Sequence, residues 1–255
     1  MCLLSFHLKD HPTYKFIFTA NRDEAYSRPT KEAHFWDDHP YLLGGRDLEA
    51  MGTWLGITKS GRFAALTNYR EFPNQSTNKI SRGNIVTSFL TSNMTPTEFL
   101  NDIDNHKDQY DGFNVVVGSV NELYYYSNRQ QKMTPIKSGT HALSNAFLNT
   151  EWPKTVLLKN NLKQHVENNE QSDIEGLLTM MNDSTIAADE LLPNTGVGLP
   201  LERILSPIFI QSENYGTKST TVILVTHDNE VTFVERTYEK GQFLKDNQFK
   251  FTLLD

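Results

Sequence analysis

Runs of apolar residues broken by short polar stretches dominate the first third of the chain. Residues 3–8 and 15–20 are apolar-rich and flank Lys9-Asp10-His11-Pro12-Thr13, whose charge and proline read as a turn. Residues 53–58 and 62–68 flank Lys59-Ser60-Gly61 and predict a second hairpin. Residues 113–119 and 123–127 form a third around Val120-Asn121-Glu122. Near the end, residues 219–226 and 230–237 flank His227-Asp228-Asn229, and a last strand is expected over 249–254.

Helical signals lie between the hairpins. Thr95-Pro96-Thr97-Glu98 places a capping hydroxyl, a first-turn proline and a glutamate in the order that starts a helix. Ser172-Asp173-Ile174-Glu175 repeats the capping pattern, with Ser172 as the expected cap. Val156, Leu157, Leu158, Leu162 and Val166 fall at mixed spacing, with four-residue steps from Leu158, and suggest an amphipathic helix over 153–168. Residues 83–90 give a fainter helical pattern. Hairpins in series around a central helical block predict an α+β fold of antiparallel sheets with helices on their outer faces. Residues 184–215 carry Pro193, Gly196, Gly198, Pro200 and Pro207 without periodicity, and are expected to form a long irregular excursion or lid.

The 255 residues suit one domain over 1–255, able to bury roughly 70–75% of its unfolded surface without disulfides or a structural metal. No apolar run approaches the ~20 residues that cross a membrane. The start lacks a basic segment before its short apolar stretch, so no signal peptide and no membrane insertion are expected, and a cytoplasmic location follows. The net charge of −7 comes without a Lys/Arg block, which argues against nucleic acid as a partner. His7 and His11 stand four residues apart, but the turn between them breaks the helix that such spacing needs, so no metal is assigned and no cofactor is expected.

The single cysteine is Cys2. A lone cysteine is commonly a small buried hydrophobe. Its position directly after the initiator methionine changes that reading. Removal of Met1 would leave a thiol and a free α-amine on one residue, a compact nucleophile–base pair. If the first two strands pair, Asn21-Arg22-Asp23-Glu24 returns beside Cys2. Arg22 is then placed to favour the thiolate, and Asp23 to bond the ammonium. Asn68 and Asn145 stand at strand ends, where an Asn amide either shapes a turn or donates to an oxyanion. Lys218 follows a glycine turn and can point into a site at the start of its strand.

Many of these segments together resemble the NRDE family. They are Met1-Cys2, Ala20-Asn21-Arg22-Asp23-Glu24, Ser27-Arg28-Pro29, Gly52-Thr53-Trp54-Leu55-Gly56-Ile57, Ala65-Leu66-Thr67-Asn68-Tyr69, Gly112-Phe113-Asn114, Leu143-Ser144-Asn145-Ala146 and Tyr215-Gly216-Thr217-Lys218-Ser219. That family includes the transport and Golgi organisation protein 2 homologues. It is similar in turn to N-terminal-nucleophile hydrolases of the choloylglycine hydrolase and penicillin V acylase type. The resemblance implies a four-layer αββα sandwich, Cys2 as nucleophile and Asn145 as oxyanion donor. Arg22, Asp23 and Asn68 join them as expected catalytic residues, with Asn21, Glu24 and Lys218 expected to contact substrate. Two departures stand out. Arg22 and Asp23 are adjacent where the acylases separate Arg and Asp by two residues, so Glu24 is an alternative acid. Lys218 replaces an arginine, losing a bidentate grip. The expected function is Cys-dependent hydrolysis of a non-peptide amide in a small molecule. The alternative is a non-catalytic carrier or chaperone of a hydrophobic metabolite (lipid, acyl-CoA or haem), and a plain interaction scaffold is a third.

Overall fold

The structure is a computed structural model that describes residues 2–71 and 79–254. The expected removal of Met1 therefore concerns a residue outside the described ones. In chain order the first strands are β1 (Cys2–Leu8), β2 (Tyr14–Ala25), β3 (Thr30–Phe35), β4 (Leu42–Asp47), β5 (Leu55–Thr58) and β6 (Arg62–Asn68). Helices α1 (Gly83–Thr91) and α2 (Pro96–Asn105) follow, then β7 (Phe113–Ser119), β8 (Glu122–Ser127), β9 (Thr134–Pro135) and β10 (Gly139–Leu143). Helices α3 (Pro153–Asn168), α4 (Ile174–Met180) and α5 (Leu199–Ile204) precede β11 (Tyr215–Thr226), β12 (Glu230–Glu239) and β13 (Gln242–Thr252).

The strands form two sheets, ordered β10-β1-β2-β11-β12-β13 and β3-β4-β5-β6-β7-β8-β9, and every described pairing is antiparallel. Side chains alternate across a strand, which decides what each face meets. Leu4, Phe6 and Leu8 of β1 and Phe16, Phe18 and Ala20 of β2 share one core with Leu43, Ile57, Phe63 and Val116 of the other sheet. Phe63 meets Phe16 and Phe18 edge-on, each at 5.0 Å. Burying one such ring contributes roughly 1.5–3 kcal/mol. The intervening residue Ile17 faces outward onto Leu162 and Val166 of α3 and Leu177 and Leu178 of α4. On the far side, Ala64, Leu66 and Val115 pack under Ile85, Phe89 and Phe99 of α1 and α2. The layers are helix, sheet, sheet, helix, which is the αββα sandwich.

The four hairpins and α3 form over the expected residues, with ends shifted elsewhere by a few positions. Thr95 accepts from the Glu98 amide while the Glu98 carboxylate accepts from the Thr95 amide, closing the box that starts α2. The cap of α4 is Asp173 rather than Ser172, because its carboxylate accepts from both Glu175 N and Gly176 N. Residues 184–214 are irregular apart from a short 3₁₀ turn (Asp189–Leu191) and α5. They do not form a lid over the cleft described below. They are fastened to the α3 side of the sheet by hydrogen bonds at Leu205 O, Ile208 O and Ile210 N. Among the described residues no helix is long and apolar enough to cross a membrane.

Candidate functional site

The β1–β2 hairpin sets the site. Its register pairs Leu8 with Phe16, Leu4 with Ala20 and Cys2 with Arg22. Counting by twos from Phe16, Phe18 and Ala20 puts Arg22 and Glu24 on the face between the sheets, and Cys2 follows Leu4 and Phe6 onto that same face. Cys2 is 9% exposed. It borders a cleft of about 340 Å³ at this end of the sandwich, walled by Arg22, Asp23 and Glu24 from one sheet and by Asp47, Leu66 and Asn68 from the other. Thr53, Trp54, Arg28 and Asp111 complete the wall with residues 79–83, among them Ser81 and Arg82.

Arg22 is held from two sides. Its guanidinium lies 4.2 Å over the Trp54 ring and 3.5 Å from the Asp47 carboxylate. Asp47 also accepts from Arg28. Gly45 makes room for this stack, since a Cβ there would sit 2.4 Å from Trp54. The Nη1 of Arg22 is buried and makes no hydrogen bond among the described residues. A rigid, buried cation with a free donor is suited to charge that develops beside Cys2.

Burial pushes the Cys2 thiol up from its ordinary value and the Asp23 charge adds to this, while the N-terminal ammonium and, less strongly, Arg22 oppose it. Burial therefore outweighs the guanidinium, and the resting thiol is held protonated. A base is needed to draw the proton off before the sulfur becomes a nucleophile.

The adjacent residue Asp23 belongs to the opposite face of β2. Its Oδ1 accepts from Thr217 Oγ1 at 2.8 Å, and its backbone carbonyl from Tyr215 Oη at 2.9 Å. Burial raises its carboxyl, and the buried ammonium of Lys154 is the largest charge pulling it back down. Arg22 and Asp23 thus do not converge on one point: strand alternation separates them by design of the backbone, although Asp23 also reaches the cleft wall.

Three expected residues lie off the cleft. Asn21 is buried on the helix side, where Nδ2 donates to Met181 O and Ile208 O and Oδ1 accepts from Thr220 Oγ1. It ties the irregular segment to the sheet and is not part of the cleft wall. Lys218 is the extra residue of a bulge, because Thr217 pairs with Asp23 and Ser219 with Arg22. Its ammonium is turned onto the carbonyls of Tyr26 and Arg28. Asn145 is fully buried; its Nδ2 donates to Asn68 O at 2.8 Å, and its Oδ1 accepts from Ser144 Oγ at 3.2 Å. Leu143 pairs with Leu4, and continuing that register brings residue 145 level with Cys2 on the side away from Arg22. Asn145 is therefore beside Cys2 in the sheet, but its amide braces the end of β6, and Asn68 is the residue that lines the cleft.

Sequence reasoning assigned no role to Arg28, Asp47, Trp54, Arg82 or Lys154. Trp54 and Arg28 sit in segments singled out by the family resemblance, which was the available signal. Asp47 and Arg82 reach the cleft, and Lys154 the neighbourhood of the Asp23 carboxylate, only through the fold. Among the described residues no group of three or more His, Cys, Asp or Glu is placed to hold a metal ion.

Comparison with solved structures finds the same fold in a bacterial hydrolase. A mutant of the conjugated bile acid hydrolase from Clostridium perfringens superimposes with a TM-score of 0.54 over 99% of this chain and 97% of that one, at 9% identity. A second variant of that hydrolase gives 0.52 at 11% identity over 99% and 98%. The sequence itself is 33% identical to the mouse Transport and Golgi organization 2 homolog, over 99% of each chain. It is 34% identical to the human Transport and Golgi organization protein 2 homolog over 92% of each, and 28% identical to the Drosophila melanogaster protein over 93% and 92%. The model of the Transport and Golgi organisation 2 family matches residues 1–240, and the chain belongs to that family.

Proposed function

We propose that this protein hydrolyses the C–N bond of a small, polar, non-peptide amide, with Cys2 as the nucleophile after loss of Met1. The observation that carries this reading is the placement of Cys2. It begins β1 on the inner face, directly across from Arg22, at a cleft of about 340 Å³ lined by charged groups of both signs. The hydrolase-like scaffold is compatible with it.

The chemistry runs as acyl transfer. The α-amine of Cys2 takes the Sγ proton, and the sulfur attacks the amide carbon, forming an S–C bond and an oxyanion. Arg22 Nη1 and the Asn68 side chain are the donors proposed for that charge. Collapse breaks the C–N bond, and the leaving amine takes the proton from the α-ammonium. Water then attacks the thioester, releases the acid and returns the thiol. The ammonium form of residue 2 is favoured by the Asp23 carboxylate on the neighbouring strand. A cytoplasmic setting, where thiols stay reduced, belongs to the same proposal.

The carrier reading is less well supported by this cleft. Besides Cys2 and Gly83, its apolar walls are Trp54, Leu66 and Ile80, against four basic and four acidic side chains. A hydrophobic metabolite would strip water from those charges and offer them no hydrogen bond in return. The test is amine release from a panel of N-acyl amides. Wild type should turn over at least one, and Cys2→Ala should lose that turnover while retaining its thermal unfolding curve. Turnover that survives Cys2→Ala would exclude the thiol from the reaction.

A further inference from the structure

Behind the cleft wall lies a buried ion pair that the reaction does not touch. Arg70 Nη1 donates to Glu202 Oε2 at 2.7 Å, and the two side chains are 5% and 4% exposed. The guanidinium stands 4.8 Å over the Trp152 ring. The other oxygen of Glu202 accepts from Thr195 N at 2.9 Å and from Thr195 Oγ1. Arg70 follows β6 by two residues, so pinning its side chain pins the chain just past Asn68. Its own backbone N–H donates to Asn145 O at 2.7 Å, and Asn145 Nδ2 returns to Asn68 O at 2.8 Å.

These contacts form a closed path from Glu202 to the residue that lines the cleft. A pair kept for stability alone is an expensive arrangement, because removing two charges from water is offset only when every donor is satisfied. Here Arg70 Nε and Nη2 are buried without a hydrogen-bond partner among the described residues. Unsatisfied buried donors call for another role.

We propose that Arg70 and Glu202 are positioning residues that, through Asn145, hold Asn68 at the distance an oxyanion requires. This rests on the acyl-transfer reading above. Positioning matters because a displacement of about 1 Å in a reacting geometry costs roughly a hundredfold in rate.

Two reactions of Cys2 separate positioning from general integrity. With p-nitrophenyl acetate the sulfur attacks the ester carbon through an oxyanion. An S–C bond forms, the C–O bond breaks, p-nitrophenolate leaves with the electron pair, and the thiol proton passes to base. With iodoacetamide the sulfur displaces iodide from a saturated carbon, and no oxyanion forms. The full chain is compared with Glu202→Gln, which is isosteric, and with the double variant Arg70→Met/Glu202→Met, which replaces the pair by apolar side chains. Acetylation should fall roughly tenfold to a hundredfold in both variants, with alkylation unchanged. Equal losses in both reactions would assign the pair to structure alone, and unchanged acetylation would remove it from the site. A wild-type protein that alkylates but never acetylates at Cys2 would sink the acyl-transfer reading, and this inference with it.

Discussion

Cys2 and Arg22 are cross-strand partners, and the Arg22 guanidinium is fixed 4.2 Å above the Trp54 ring on the cleft side. Arg22 opposes the burial that raises the thiol. Removing the cation should therefore raise the thiol further. For Arg22→Met we expect the iodoacetamide rate at neutral pH to drop roughly threefold to tenfold, with the rate–pH profile displaced to higher pH. An unmoved profile would mean that the guanidinium does not act on the sulfur.

Asn145 is a brace as well as a neighbour of the site. Its amide donates to Asn68 O, and its carbonyl oxygen accepts from Ser144. An aspartate cannot donate to Asn68 O and would bury a charge there. Asn145→Asp should lose about 3 kcal/mol or more in urea unfolding, and Asn145→Ala about 1–3 kcal/mol. Equal stability of the Asp variant and wild type would show that this hydrogen bond does not hold the end of β6.

Glu235 gives a pH signature independent of the reaction. It is buried, its carboxylate accepts from Ala33 N at 2.6 Å, and burial raises its carboxyl to about 7. A raised folded value means that the folded state holds the proton more tightly than the unfolded chain. The associated stability is complete below the ordinary carboxyl range near 4.5 and is lost as pH rises to about 7. Glu235→Gln keeps an acceptor without the charge. Its melting temperature should exceed that of wild type at pH 8, by the equivalent of about 3 kcal/mol at most, and match it near pH 4. A constant difference across that range would place the charge elsewhere.

The parts of the fold legible in sequence are those whose local pattern agrees with burial. Phe16, Phe18 and Ala20 alternate with residues of the helix side, so β2 and its partner β1 could be read directly, and the pairing of Cys2 with residues near 22 followed. Helix α3 was legible from Leu158, Leu162 and Val166, which are its buried apolar positions, whereas Val156 and Leu157 turn out exposed. Strand β3 (Thr30–Phe35) was not legible, because its first three residues, Thr30, Lys31 and Glu32, are polar and Ala33 is its one fully buried side chain. Strand β4 (Leu42–Asp47) is built around Gly44 and Gly45, which pattern reading takes for a turn; the strand needs them because a Cβ at 44 would strike Leu55 O at 2.5 Å. The first half of β13 is nearly all exposed, so it carries no periodic signal.

The site divides in the same way. Cys2, Arg22 and Glu24 are on one face by strand alternation, a period of two that was present in the sequence. The same count puts Asn21 and Asp23 on the other face, a consequence hidden by treating the four residues as one motif. The bulge that turns Lys218 aside is a mismatch between two distant strands, and no local pattern marks it. Asp47 and Arg82 come together with Cys2 only when the two sheets stack.

The most direct test of the account is the intact mass of the purified protein before and after exposure to p-nitrophenyl acetate, with the modified peptide sequenced. The expected product is a chain that begins at Cys2 and gains one acetyl group there, with no gain in Cys2→Ala. A chain that retains Met1 and takes up no acetyl group at Cys2 would contradict it.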